Sequence, residues 1–233
     1  KALEIGSQFY DLQLRQLVGH ILFEQKKYNE ALVYLKKYVT ATPKVRREDL
    51  YELSYCYYEA SNWTMSIDGF KQLSSGDDSL AQNSMYLLAN AYLKTNDKPN
   101  ARNAFLFCAS NNSNAVQKEV ATYMYAKLSY ELNFLDIALK SLQTFISQYP
   151  RSSSITEAKE LLVSTLVNSS NYKEALVLFQ RITDRSDALQ KIYPAILLGR
   201  AVEMINDQNL PLADSLLSIV MSLPDNAAQL PVT

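Results

Sequence analysis

The sequence predicts an all-α solenoid of about six helix–turn–helix units. Three observations predict it. A small residue recurs at Ala31, Ser66, Ala101, Ala138, Ala175 and Ala213, at spacings of 35, 35, 37, 37 and 38 residues. Twelve residues before each stands a second column, Gly19, Ser54, Ala89, Ala126, Val163 and Ala201. Four residues after each stands a third, Leu35, Phe70, Phe105, Leu142, Phe179 and Leu217. A fixed period of this size marks a repeat architecture. Where two antiparallel helices cross closely, a bulky side chain would push them apart, and overpacking costs about 1–3 kcal/mol. Gly, Ala and Ser fit the crossing, and the Phe or Leu one turn later fills the adjacent space. Val163 is the largest occupant, which predicts a splayed or shifted fifth unit. The repeats fall at 12–45, 47–80, 82–115, 119–152, 156–189 and 194–227 of a single solenoid spanning residues 1–233.

Residues 1–11 read as a leading extension or the tail of an earlier repeat. Leu12, Leu14, Leu17, Val18, Ile21 and Leu22 give a helical stripe over 11–25. Its partner runs over 28–42 and stops at Pro43, because the residue before proline is pushed out of helical geometry. The second unit covers 47–75, with Trp63 opening its second helix and Gly76 in the connecting loop. The third covers 79–110. Asp97-Lys98-Pro99 starts its second helix, with proline early where a missing N–H does no harm. The neutral loop Asn111–Asn114 reads as a spacer. The fourth unit ends at Tyr149-Pro150, and Ser154-x-x-Glu157 then reads as a capping box. Asn171-x-x-Glu174 caps the second helix of the fifth unit. In the sixth, Pro194 lies within a long helical pattern over 187–205, so the helix begins there or kinks there. Asn209-Leu210-Pro211 starts its partner, Pro224 ends it, and 226–233 read as a frayed tail.

This register resembles the tetratricopeptide repeat, a unit of about 34 residues with the pattern W-x2-L-G-x2-Y…A-x3-F…P. The first unit matches as Val18-Gly19-x2-Leu22…Ala31-x3-Leu35…Pro43, and the third as Leu88-Ala89-x2-Tyr92…Ala101-x3-Phe105. No unit has the leading Trp, Ser129 stands where the fourth should carry Tyr, and Arg200 stands where the sixth should carry Leu. The sixth unit reads as a divergent terminal cap. The resemblance implies a right-handed superhelix with the first helices on the concave side and the second helices on the convex side.

Composition narrows the function. The 23 basic and 24 acidic residues give a net charge of −1. That leaves no basic stripe to neutralise phosphates, so no nucleic-acid partner is expected. The cluster Lys44-Val45-Arg46-Arg47 reads as a solvated turn. No apolar run approaches the roughly 18 residues needed to span a bilayer, so no transmembrane segment is expected in this chain. The chain opens Lys1-Ala2-Leu3 without Met, as a processed product or an excised fragment would. Cys56 and Cys108 are too few and too far apart for a disulfide framework or a metal site, and read as small hydrophobes. The single histidine, His20, has no nucleophile or metal-ligand pattern around it and reads as an exposed helix histidine. No glycine-rich phosphate loop is present. The chain reads as a non-enzyme with no cofactor.

What remains is surface. One residue past each small first-helix site, the implied concave side carries His20, Tyr55, Asn90, Lys127, Ser164 and Val202. One turn earlier stand Gln16, Tyr51, Tyr86, Tyr123, Glu160 and Leu198, and three residues later Phe23, Tyr58, Leu93, Tyr130, Val167 and Ile205. The candidate groove residues are therefore Tyr51, Tyr55, Tyr58, Tyr86, Asn90, Tyr123, Lys127 and Tyr130. Tyrosines supply contact area at low entropy cost, and the polar groups suit a peptide backbone. The alternative is that the tyrosines pack between repeats and stiffen the array, and both readings stand on the sequence. Asn90 and Lys127 only partly match the Lys/Asn set with which some relatives hold a terminal carboxylate, and Gln16 and His20 do not match it.

The segment Phe145-Ile146-Ser147-Gln148-Tyr149-Pro150-Arg151-Ser152 resembles the helix-end signature of bacterial envelope proteins of this family. The expected function is a non-catalytic scaffold that binds a protein or peptide partner in the concave groove, in the periplasm or at a membrane of a bacterium. The alternative is a ligand- or peptide-sensing domain of a larger signalling or transcriptional regulator. Self-association through the groove or an uncapped end is a third expectation.

Overall fold

A computed structural model describes residues 8–223, the side chains from Tyr10 onward. Among these residues twelve α-helices follow one another and alternate as first and second members of six pairs. They are α1 (Gln8–Glu24) with α2 (Tyr28–Ala41), α3 (Arg47–Glu59) with α4 (Trp63–Lys71), and α5 (Ser79–Lys94) with α6 (Lys98–Ser110). Then come α7 (Ala115–Glu131) with α8 (Leu135–Gln148), α9 (Ile155–Asn168) with α10 (Tyr172–Arg181), and α11 (Asp187–Asn206) with α12 (Leu210–Ser222). The chain is an all-α solenoid of consecutive helix pairs. None of the described helices is long and apolar enough to cross a membrane.

One turn is repeated six times. Lys26, Ser61, Asn96, Asn133, Ser170 and Gln208 all have φ between 56° and 61°, and each lies five residues before its small marker. In every case that residue's N–H reaches three residues back and the next N–H reaches five back, as in Lys26 N to Phe23 O (2.8 Å) and Lys27 N to Leu22 O (2.9 Å). This is the Schellman closure, which satisfies carbonyls a helix end would leave open. None of the six is glycine, although the left-handed conformation disfavours other residues.

The three columns form the core. The markers Ala31, Ser66, Ala101, Ala138 and Ala175 are 0% exposed and Ala213 is 2%. The second column is buried throughout, including Val163, which the packing accommodates completely. A Cβ on Gly19 would come within 2.8 Å of the Leu35 side chain, and one on Gly69 would collide with the Ser54 hydroxyl. Those contacts are why small residues stand there. The third column is buried up to Phe179. In the last pair the register slips by one, with Leu216 buried and Leu217 only partly covered.

The chain divides into two compact units at Tyr125/Ala126, within α7. In the first, each second helix packs on the first helix that follows (α2 on α3, α4 on α5), and first helices also touch each other (α1 with α3, α3 with α5). The second repeats the plan, with α8 on α9, α10 on α11, and α9 beside α11.

Several local expectations are corrected. Ser154 does not form the capping box: its φ of −91° and ψ of 7° are not the extended cap conformation, and its side chain makes no hydrogen bond to the helix start. Glu157 instead meets the Lys127 ammonium. Asn171 does cap, accepting from Glu174 N at 3.4 Å. Pro194 does not start α11, which runs from Asp187 to Asn206 with Pro194 buried inside it. The loop Asn111–Asn114 is no mere spacer. The Gln82 side chain, 0% exposed, donates to the carbonyls of Cys108, Asn111 and Asn114 and accepts from Asn114 N at 2.6 Å. Asn111 also donates to Asp78 O, tying two successive loops together. The expected tail beyond residue 223 lies outside the described residues.

Candidate functional site

The predicted tyrosines of the second repeat do come together. Tyr55 is the hub, with ring centroids 5.6 Å from Phe23, 5.2 Å from Tyr28, 6.0 Å from Tyr51 and 6.3 Å from Tyr58. Tyr58 continues to Trp63 at 5.3 Å, and Tyr51 packs against Phe70 at 6.0 Å. Phe23 and Tyr28 belong to the first repeat, so this ladder joins two repeats. Tyr51, Tyr55 and Tyr58 are each half-buried. Burial pushes the Tyr51 phenol up to about 12 and raises that of Tyr55 further. Both remain neutral hydrogen-bonding groups at any physiological pH.

Tyr86, also half-buried, lies 6.2 Å from Phe105, and Asn90 turns its amide onto the Tyr86 carbonyl of its own helix at 2.9 Å. Tyr123 is 6% exposed and belongs to the packing of α7. In the second unit, Lys127 Nζ lies 2.7 Å from Glu157 Oε1, and the Tyr130 hydroxyl accepts from Asn168 at 3.3 Å. The expected row is thus a cluster around Tyr55 and a set of separately anchored residues.

A second arrangement crosses three consecutive first helices. Asn83 Nδ2 donates to the Tyr51 hydroxyl at 2.5 Å, and Gln117 Nε2 donates to Asn83 Oδ1 at 2.6 Å. Tyr51 lies on α3, Asn83 on α5 and Gln117 on α7. Together with Ser79, Leu80 and Asn114 they line an open cleft of about 350 Å³. Gln117 Oε1 is buried there with no hydrogen-bond partner. Asn83 and Gln117 escape a reading at constant offset. Relative to the buried small residues Ser54, Ala89 and Ala126, the three stand 3, 6 and 9 residues earlier. Neighbouring first helices are slipped by nearly one turn, so the residues that touch are not those in the same column. Counting back one turn per repeat would have found them.

The same slip sets the joint between α1 and α3. Asp49 is 1% exposed and takes Arg46 through two hydrogen bonds of 2.8 Å, Gln16 at 2.9 Å and Tyr38 at 3.3 Å. Burial works to raise its carboxyl, but these donors hold it below the usual carboxylate range. His20 Nδ1 sits 2.6 Å from Glu52 Oε1, so the expected lone surface histidine is an inter-repeat contact. Burial raises the Glu52 carboxyl, against the opposing effect of His20.

Reactive groups do not converge. Cys56 and Cys108 are both free and 0% exposed, and burial pushes each thiol up to about 12, away from the thiolate that would attack a substrate. Among the described residues no group of three or more His, Cys, Asp or Glu is placed to hold a metal ion.

Comparison with known proteins agrees with this architecture. A tetratricopeptide-repeat family model matches residues 12–45, the bounds of the first repeat. No curated protein matches the chain. Among solved structures, YrrB, described as a tetratricopeptide-repeat protein with an unusual peptide-binding site, superposes with a TM-score of 0.59 at 16% identity, over 84% of this chain and 94% of that one. MamA gives a TM-score of 0.52 at 20% identity, over 70% and 91%. MamA from residue 41 onward, from Desulfovibrio magneticus RS-1, gives 0.50 at 16%, over 73% and 92%. At these identities the likeness is one of fold. The first repeat matches the tetratricopeptide-repeat model, and its turn and its buried small residues recur in the other five pairs.

Proposed function

We propose that the chain is a non-catalytic scaffold that holds a peptide or an extended protein segment on the face formed by its first helices. The observation that carries this reading is the row Tyr51–Asn83–Gln117. Three neutral side chains from three successive repeats are fixed by one another beside an open cleft, and Gln117 still has a buried oxygen to offer. Amide and phenol groups of this kind match the alternating donors and acceptors of an extended backbone, and the half-buried tyrosines around Tyr55 supply apolar contact. Fixed side chains lose little further entropy on binding. That YrrB is described as having a peptide-binding site is in keeping with this reading and says nothing of the ligand here.

The test is selection from a random peptide library, followed by titration of the enriched peptide. Asn83→Ala should weaken binding at least about tenfold, the effect of roughly 1.4 kcal/mol. Lys140→Ala, an exposed position on α8, should leave it unchanged. Failure to enrich any peptide, or equal binding by the Asn83 variant, would remove the cleft from consideration.

A place in the bacterial cell envelope rests on the Phe145–Ser152 signature alone. Tyr149 packs 5.4 Å from Phe145, which gives those residues a role in ending α8. Fractionation of the source cell tests the location.

A further inference from the structure

The row Tyr51–Asn83–Gln117 has a direction. Gln117 Nε2 donates to Asn83 Oδ1 at 2.6 Å, and Asn83 Nδ2 donates to the Tyr51 hydroxyl at 2.5 Å. Amide and phenol each carry both kinds of group, so such a relay leaves its two ends opposite in character. At the α7 end, Gln117 Oε1 is an acceptor with no partner. At the α3 end, the Tyr51 oxygen has accepted Asn83 and keeps its own proton to donate. Burial holds that phenol protonated, its pKa pushed up to about 12. Turning both amides over would exchange the ends and still leave one of each. Gln117 Oε1 is covered as it stands, but the residue is half-buried and lines the cleft, so a turn of its side chain would present the oxygen.

The cleft is also uncharged. Its lining is Tyr51, Ser79, Leu80, Asn83, Asn114 and Gln117. Arg47 stands one turn before Tyr51 on α3, but two hydrogen bonds of 2.6 and 3.1 Å tie it to Asp78. Lys118 adjoins Gln117 and reaches Asn112 at 2.5 Å instead. The starts of α5 and α7 border the cleft, and a helix start favours an anion. Both starts are already capped. Asp78 places a carboxylate at α5, accepting from Ala81 N at 2.8 Å, and the Asn114 side chain accepts from Gln117 N at 3.1 Å at α7.

We propose that this cleft holds an internal, uncharged stretch of an extended chain, with a backbone N–H on Gln117 Oε1 and a carbonyl on the Tyr51 hydroxyl, and that it turns away a carboxyl-terminal end or an acidic segment. The inference rests on the peptide-holding reading above and says which part of a chain is held. A carboxylate has no proton for Gln117 and would enter with no free cation to meet its charge. An ammonium has no lone pair for Tyr51. A peptide unit supplies both. The second protons of the two amides add donors, which a backbone carbonyl uses as well as a carboxylate does.

Two random peptide libraries test it on the whole chain. In one, each peptide is flanked on both sides by Gly-Ser spacers. In the other, each ends in a free carboxylate. The expected result is enrichment from the flanked library, of sequences poor in Asp and Glu. An enriched peptide is then made as an ester series, each member replacing one backbone N–H by oxygen. One ester should bind at least about tenfold more weakly than its parent. Gln117→Met removes the acceptor, and on this variant that ester should bind no worse than the parent peptide. Circular dichroism checks that the variant keeps its helices, and Gln117→Ala carries the same comparison if it does not. Enrichment from the free-carboxylate library, with binding lost on amidation, would overturn the inference and leave the scaffold reading standing. An ester loss of the same size on Gln117→Met would also overturn it. Enrichment from neither library would remove the scaffold reading, and this inference with it.

Discussion

His20 Nδ1 lies 2.6 Å from Glu52 Oε1, and the contact fastens the first repeat to the second beside the Asp49 cluster. The two carboxylates of this joint respond to their surroundings in opposite directions. Burial raises Glu52 despite the opposing His20. Burial works on Asp49 too, but Arg46, Gln16 and Tyr38 together hold it down. A carboxyl raised in the folded state contributes stability that is present below its unfolded value, about 4.3 for Glu, and is lost as pH rises through the folded value. A depressed one contributes stability that is present above its unfolded value, about 3.9 for Asp, and is lost as pH falls through the folded value. Glu52→Gln should therefore gain on the unsubstituted chain between pH 4 and pH 7. Asp49→Asn should lose about 1–3 kcal/mol at pH 7, with the gap closing below the carboxylate range. Urea midpoints at several pH values read both. Parallel pH trends in the two variants would contradict the assignment.

The six left-handed turn residues give a second prediction. Lys26, Ser61 and Gln208 are exposed and hold φ of 59°, 56° and 59°. A non-glycine residue there costs about 1–2 kcal/mol, which exceeds the roughly 0.5–1 kcal/mol of extra unfolded-state entropy that glycine brings. Lys26→Gly and Ser61→Gly should each stabilise by about 0.5–1 kcal/mol. Asn96→Gly should gain less, because asparagine already tolerates this conformation. Thermal midpoints of the three single variants decide it, and a loss in all three would refute the strain argument.

The loop clamp gives a third. Gln82 is wholly buried, and its amide is shared among three loop carbonyls and one N–H. Gln82→Leu keeps much of the volume but strands those backbone groups, at about 2–4 kcal/mol for several unmet buried partners. Hydrogen exchange should show lost protection at Asn114, with α1 and α2 unaffected. Unchanged protection at Asn114 would mean the loop holds without the clamp.

How much of this was legible in the sequence depends on the range of the interaction. The small-residue columns were legible because each reports a local steric demand, as Gly19 does against Leu35. The turns were legible in position but not in kind, since nothing about Lys26 or Gln208 announces a left-handed residue. The capping box at Ser154 failed because the motif assumes an extended cap residue, and here ψ is 7°. The candidate groove was read at constant offset, so it collected Tyr51, Tyr86 and Tyr123. The hydrogen bonds instead run diagonally from Tyr51 to Asn83 to Gln117. That diagonal is set by the slip between neighbouring helices, a property of packing that no single repeat encodes.

The cysteines give the last prediction. Cys56 lies on α3 and Cys108 on α6, both in the first unit and both 0% exposed. Burial pushes each thiol up to about 12, and the negative charges of Glu52 and Glu59 push Cys56 in the same direction. At pH 8 the thiolate fraction of such a group is about 10⁻⁴, against roughly a quarter for an ordinary cysteine. Alkylation of the native protein should therefore run at least about a thousandfold slower than that of a free thiol. It should rise only as urea opens the fold, with both sites gaining label together if the first unit opens as one cooperative body. Rapid labelling of Cys108 alone under native conditions would show that α6 opens locally and that the Gln82 clamp beside it does not hold.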